Sequence, residues 1–235
     1  MTIGDRQVLV KAMLRKIERA RRTPDVRLPG ERELASSFGA SRTAVREVLG
    51  VLEALRVIER RPQSGIYVRP ATSETSIEAL VLAEDLDLRA KTAPYEQAQE
   101  ARVIYEVEAA RLAARRRTRS DLDAMAAVID RSCGHFSEGR NLADDDEAFH
   151  LALIAAAKNE VLLRVAKSLY LMTRSVRFAY FQAQGHASIS IRGHEQILES
   201  IERGDAEASA KLMRKHYAAS TARWRKICSA RRSAV

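Results

Sequence analysis

The chain has little cysteine and no long apolar run, and each shortage narrows what it can be. Two cysteines occur in 235 residues, Cys133 and Cys228, without metal-ligand or redox spacing. Such usage suits an intracellular, reducing, cytoplasmic setting and no disulfide framework. The longest apolar run, Leu151 to Ala157, is far too short to span a bilayer, so no membrane partner is expected. Charges at the N-terminus, without an apolar stretch or a small-residue cleavage site, speak against a secretory signal. Internal repeats and low-complexity tracts are missing too. What is present, 46% hydrophobic and 30% charged residues, suits a globular chain of one large domain or two small ones.

Acidic residues are too few to balance the basic ones, and the imbalance is local. Residues 1–70 hold 15 Lys and Arg against 8 Asp and Glu, whereas residues 71–235 hold 25 against 23. A basic first third before a near-neutral remainder is the charge footprint of a nucleic-acid-binding head with a partner domain, although a solvated basic surface would look the same. Local signals divide the first third further. Val8, Leu9, Ala12, Met13 and Ile17 form an apolar stripe at helical spacing, ended at Thr23–Pro24. A short helix is expected over Glu31–Phe38, closed by Gly39, and a third from Arg42 to Leu55 with Ser41 as its N-cap. Residues 57–61 and 66–69 read as two strands joined by Pro62–Gln63–Ser64–Gly65. Helix, helix, turn, helix, hairpin is the order of a winged helix-turn-helix.

Beyond a short polar linker the chain reads as helical throughout. Candidate helices lie near 75–90, 94–118, 119–137, 142–157, 159–183, 187–203 and 205–228, with Ser120 and Asp205 as plausible N-caps. The expected fold is mostly α: a winged head of three helices and a β-hairpin over 1–70, a linker over 71–76, an all-α bundle over 77–228 and a basic tail over 229–235.

Two constellations carry chemistry. On the third helix Val45, Val48, Leu49, Leu52 and Leu55 recur three and four apart and form a buried face, leaving Arg42, Thr43 and Arg46 off it at the N-terminal end. A helix in the major groove reads bases from that end, and arginine can bond guanine through two edge atoms. The segments Leu28–Pro29–Gly30–Glu31–Arg32–Glu33–Leu34–Ala35, Ser41–Arg42–Thr43–Ala44–Val45–Arg46–Glu47–Val48–Leu49, Leu52–Glu53 and Gly65–Ile66–Tyr67–Val68 closely resemble the GntR family of regulators. That resemblance implies DNA contacts from Arg32, Arg42, Thr43 and Arg46, and a wing glycine at Gly65. Arg61, at the strand end before the wing, is a reasonable phosphate contact. Two departures bear on wing geometry: Arg56 stands where glycine is frequent, and Pro62 where many members are more flexible.

The second constellation is Asp146 and His150, four apart on one helix, with His194 and His216 on the last two helices. If those two helices run antiparallel, one carboxylate and three imidazoles can converge, a donor set suited to Zn, Ni or Mn. Asp145 and Glu147 flank the position, so spacing alone does not choose the carboxylate. Glu100–Ala101–Arg102, Leu112–Ala113–Ala114, Asp146 to His150, Asn159, His194 to Leu198, and Gly204–Asp205 through His216 are similar to the helical FCD effector domain of the FadR-type GntR subgroup. Seven helices there, rather than six, would favour the FadR branch over the shorter VanR one. The resemblance implies a divalent metal on Asp146, His150, His194 and His216, facing a pocket for a small carboxylic acid. Arg102 would reach the acid's carboxylate, a role favoured over the alternative of a surface or intrahelical pair with Glu106 four residues on. Arg174 and Arg177 are further candidates for that pocket. Together these imply a homodimer on a pseudo-palindromic double-stranded DNA operator, with the acid effector shifting operator affinity and repression relieved by ligand. A metal-dependent hydrolase and a metal or metabolite store with a vestigial head are the competing readings.

Overall fold

A computed structural model of the chain describes residues 3–20, 26–70, 75–85, 95–182 and 185–233. The breaks read at Thr23–Pro24 and Pro94 and most of the 71–76 linker lie outside these residues. Two compact units result, Met1–Ala93 and Pro94–Val235.

In the first unit, helix α1 covers Ile3–Ala20, α2 Glu31–Phe38 and α3 Arg42–Ala54. Leu9, Met13, Leu14 and Ile17 of α1 are buried, whereas Val8 is 70% exposed. Val8 precedes Ile17 by two and a half helical turns and so faces the opposite way, and Leu14 replaces it in the stripe. Gly39 closes α2 at φ 60°, and the Ser41 side chain accepts from Ala44 N at 3.1 Å to start α3. On α3, Val45, Val48, Leu49 and Leu52 are 0–3% exposed and form the centre of the head's core, with Leu55 partly covered.

The wing strands are β2, Ile58–Arg61, and β3, Gly65–Val68, paired antiparallel with Arg61 opposite Gly65. A third strand is added to the expected hairpin: β1, Arg27–Leu28, pairs with the other side of β3. Two residues are too few to display a strand period. At the wing tip Ser64 N bonds Arg61 O at 3.0 Å, with Pro62 second in the turn and Gln63 at φ 58°. Proline fits that position of a tight turn without strain.

Arg56, exposed between α3 and β2, has φ 56°. A side chain in this left-handed region costs about 1 kcal/mol or more that glycine avoids. Arg56→Gly is therefore expected to stabilise the head by about 0.5–1 kcal/mol, read as a raised urea midpoint, and Arg56→Ala to give no such gain.

Helix α4, Ile77–Asp85, also belongs to the first unit. Its Ala79 is buried in the head's core and Leu82 packs on it, so the head extends past the composition-based boundary at residue 76.

The second unit contains α5 Tyr95–Arg116, α6 Arg119–Ser137, α7 Ala143–Ala156, α8 Glu160–Met172, α9 Arg174–Phe181, α10 His186–Glu202 and α11 Ala206–Ser233. Ala109, Ala110, Ala113 and Ala114 give α5 a face without bulk, on which α7, α10 and α11 pack. Phe149, Leu153, Ile154, Ile197, Ile201 and Met213 fill the bundle around it. The expected 159–183 helix breaks at Thr173, whose hydroxyl donates back to Leu169 O at 2.9 Å and diverts the chain. The start of α6 is capped by Thr118 rather than Ser120, in a reciprocal box with Asp121. Asp205 caps α11 as expected, accepting from Ala208 N at 2.9 Å. That helix continues through Ser233, so part of the expected tail is helical. No helix of the described residues is long and apolar enough to cross a membrane.

Candidate metal centre and nucleic-acid interface

On the head, the apolar face of α3 turns inward and leaves Arg42, Thr43 and Arg46 exposed, with Arg32 exposed on α2. Arg46 is engaged by a carboxylate: its Nε and Nη2 donate to Glu31 Oε2 at 3.1 and 2.9 Å. That bond holds the Glu31 carboxyl below its usual range. Arg61 lies over the Tyr67 ring, 4.0 Å from its centroid, beside Glu59. Gly65 has φ 137°, a conformation that side chains rarely adopt, so the wing needs glycine there; a Cβ would also lie 2.7 Å from Nε of the exposed Arg27, whose flexible end can move aside.

In the helical unit, Asp146 and His150 lie one turn apart on α7, and α10 and α11 supply His194 and His216. One ligand atom from each of the four falls within 4.8 Å of all the others. Asp146 Oδ1 is 3.7 Å from His150 Nε2 and 3.6 Å from His194 Nε2. Phe149 stacks on the His194 ring at 4.0 Å between centroids, fixing its plane. The flanking acids are engaged elsewhere. Asp145 takes Arg131 Nε and His135 Nδ1, each at 2.7 Å, and Glu147 pairs with Arg177. The choice among three adjacent acids is thus made by packing, not by spacing.

Burial pushes the His194 imidazole well below its ordinary pKa, and burial beside His150 brings His216 down to about 4. Both rings are therefore neutral at pH 7 and keep the lone pair that a metal needs. His150 Nδ1 lies 2.5 Å from Glu106 Oε2, close but off the line of an ideal hydrogen bond. A carboxylate behind a histidine in this way orients the ring and leaves its other nitrogen to a cation. The donor set and its backing fit a divalent ion.

Glu106 is the site's main unanticipated residue. Fully buried on α5, it accepts from Tyr217 Oη at 2.6 Å, Tyr170 Oη at 3.0 Å and Arg102 Nε at 3.2 Å. Burial alone would raise its pKa, but His150, Arg102 and these hydrogen bonds bring it down to about 2. Arg102 does pair with Glu106 four residues on, yet both are buried and Arg102 also donates to Tyr170. Arg102 lines a cavity of about 40 Å³ together with Asp146, His150 and His216. Arg174 is exposed and absent from that wall, whereas the buried Arg177, nearly one turn later, is part of it. Helical phase explains the difference, since three residues turn the side chain by about 300°.

Gly193, beside His194, is a second residue that sequence spacing does not reveal. A Cβ there would lie 2.5 Å from His216 Nδ1. Alanine would favour the helix by about 1 kcal/mol but displace the ring. Gly193→Ala is expected to lower metal affinity about ten- to hundredfold with the fold retained, measured by competition with a chelator. Unchanged affinity would show that the ring has room to move.

Residues 6–68 match the family described as bacterial regulatory proteins, gntR family, and residues 97–219 match the FCD domain. The Uxu operon regulator of Haemophilus influenzae is 30% identical over 199 residues, 81% of this chain and 70% of that protein. The galactonate operon transcriptional repressor of Escherichia coli is 26% identical over 232 residues, 97% of this chain and 100% of that protein. The solved structure of Lar, which controls expression of the Listeria monocytogenes agr system, shares the fold at TM-score 0.67 and 21% identity, covering 96% of this chain and 98% of that one. These relatives are regulators, and the hydrolase reading gives way to them. The chain belongs to the GntR family: it is a DNA-binding transcriptional regulator in which a winged head is followed by an FCD domain.

Proposed function

We propose that this regulator binds a small carboxylic acid in its helical unit and that the bound acid sets the head's affinity for an operator. The observation that carries this reading is the convergence of Asp146, His150, His194 and His216, three of which, Asp146, His150 and His216, line a cavity that also holds Arg102. Those four residues would hold Zn, Ni or Mn, and such an ion would supply an electrophilic anchor for a carboxylate oxygen. Arg102, oriented by Glu106 and Tyr170, offers the acid a fixed cation, and of the two further candidates Arg177, not the exposed Arg174, joins it. Arg32, Arg42, Thr43, Arg46, Arg61 and Gly65 make up the DNA-facing set. The working form is a cytoplasmic homodimer whose heads meet two operator half-sites about one helical turn or a multiple apart. By that scheme the protein is a repressor released by its ligand, with a coupling of about 1–3 kcal/mol between the sites.

The test is selection of bound DNA sequences by purified full-length protein, with and without a panel of carboxylates. A selected palindrome whose recovery changes with one of the acids is expected; selection that ignores every acid would leave only the DNA-binding part. Elemental analysis should find divalent metal in wild type purified without chelator, and His194→Ala should lose most of it. Metal-free wild type would remove the ion from the scheme.

A further inference from the structure

Among the described residues, the wing sheet has one arginine that no acid holds. Arg60 pairs with Glu53, and Arg61 and Arg69 share Glu59. Arg27, exposed on β1, has no such partner among the described residues. It stands just before the segment Leu28 to Ala35, so the motif that carries the DNA contacts of the head does not cover it.

Strand geometry puts this side chain at the end of the wing. Arg27 lies opposite Tyr67 on β3, and Gly65, two residues before Tyr67, shares that face of the sheet. The other face turns Leu28, Ile58, Ile66 and Val68 into the core, so the face with Arg27 and Gly65 points outward. The guanidinium lies against Gly65: a Cβ built there would be 2.7 Å from Arg27 Nε, 3.2 Å from Nη2 and 3.3 Å from Cζ. The register partner of Gly65 on its other side is Arg61. A bare glycine thus sits between two strands that each bring an arginine to the hairpin end.

A guanidinium fork fits two phosphate oxygens, and one without a competing carboxylate offers them its whole charge. We propose that Arg27 is a DNA contact that clamps the wing to a backbone phosphate. Such a contact fixes the position of the head and carries no sequence information. The inference rests on the DNA-facing set above, in which Gly65 stands, and adds the side chain that lies against that glycine.

The experiment measures the affinity of full-length protein for the selected operator and for a scrambled duplex from about 0.05 to 0.3 M salt. Each phosphate contact contributes a slope of about 0.9 in log affinity against log salt. With two heads on the DNA, Arg27→Ala should flatten the slope by about 1.8. It should weaken both duplexes about ten- to sixtyfold at about 0.1 M salt and leave their ratio unchanged. Arg27→Lys keeps the charge and should keep the slope. Lys211→Ala, which removes one exposed charge from α11 in the helical unit, should behave as wild type. An Arg27→Ala variant with the wild-type slope overturns the inference while the DNA-facing set stands. So does a loss confined to the operator, which would make Arg27 a reader of bases. An Arg27→Lys variant as weak as Arg27→Ala also overturns it, by assigning the residue to the packing of the wing. If Arg42→Ala and Arg46→Ala keep wild-type discrimination as well, the set itself falls. Should Arg27→Ala not fold, Arg27→Gln decides in its place.

Discussion

Replacing Arg42 or Arg46 by alanine is expected to cost the protein about ten- to hundredfold in discrimination between its operator and unrelated DNA. The magnitude is that of one arginine–guanine contact, about 1–3 kcal/mol for a good bidentate pair. The fold should be untouched. Both side chains are exposed, and the residues that hold α3 in place, Val45, Val48, Leu49 and Leu52, lie on its other face at 0–3% exposure. Arg46→Ala also breaks the pair with Glu31, whose partners' side chains are 61% and 24% exposed, and a surface pair of this kind contributes little stability. Competition binding with operator and scrambled duplexes at fixed salt measures the effect. Discrimination equal to wild type in both variants would remove α3 as the reading element.

Glu106→Ala carries the largest expected loss of stability, about 3–5 kcal/mol in the helical unit. The change strands the Arg102 guanidinium, 2% exposed, and deprives Tyr170 and Tyr217 of their shared acceptor. Removing one partner of a buried pair costs far more than the pair's net contribution, because the other charge stays in a low-dielectric site. A direct control is Asp123→Ala, which breaks the four-apart pair with Arg119 where the side chains are 77% and 58% exposed. That change should stay within about 0.5 kcal/mol. Urea unfolding followed by helical circular dichroism compares the two. Glu106→Ala should also lose metal, since His150 loses the carboxylate that orients it; a variant as stable as wild type would show that water replaces the carboxylate freely.

The parts of this protein that are legible in sequence are those written in short-range pattern. Ser41, Gly39 and the three- and four-residue spacing of Val45, Val48, Leu49 and Leu52 announce α2 and α3 because caps and helical period are local properties. The metal-ligand candidates are visible because Asp146 and His150 share a helix face and because histidine is scarce, with five in the chain. What stays hidden depends on packing between distant segments. Strand β1 exists only because β3 offers it an edge, and Ala79 shows its place in the head's core only once the chain has folded. Glu106 looks like an ordinary partner for Arg102 until Tyr170, Tyr217 and His150, up to 111 residues away, close around it. Gly193 carries no signal of its own, because it matters for the side chain it lacks. Arg174 and Arg177 are indistinguishable by composition, and only the phase of α9 after the break at Thr173 separates them.

The most direct test of the whole account is operator affinity measured by fluorescence anisotropy as a carboxylate known from calorimetry to bind is added to metal-loaded protein. The account predicts a shift of about 5- to 150-fold in wild type and none in His194→Ala. An acid that binds the wild type and leaves operator affinity unchanged, or a His194→Ala variant that responds as wild type does, would contradict it.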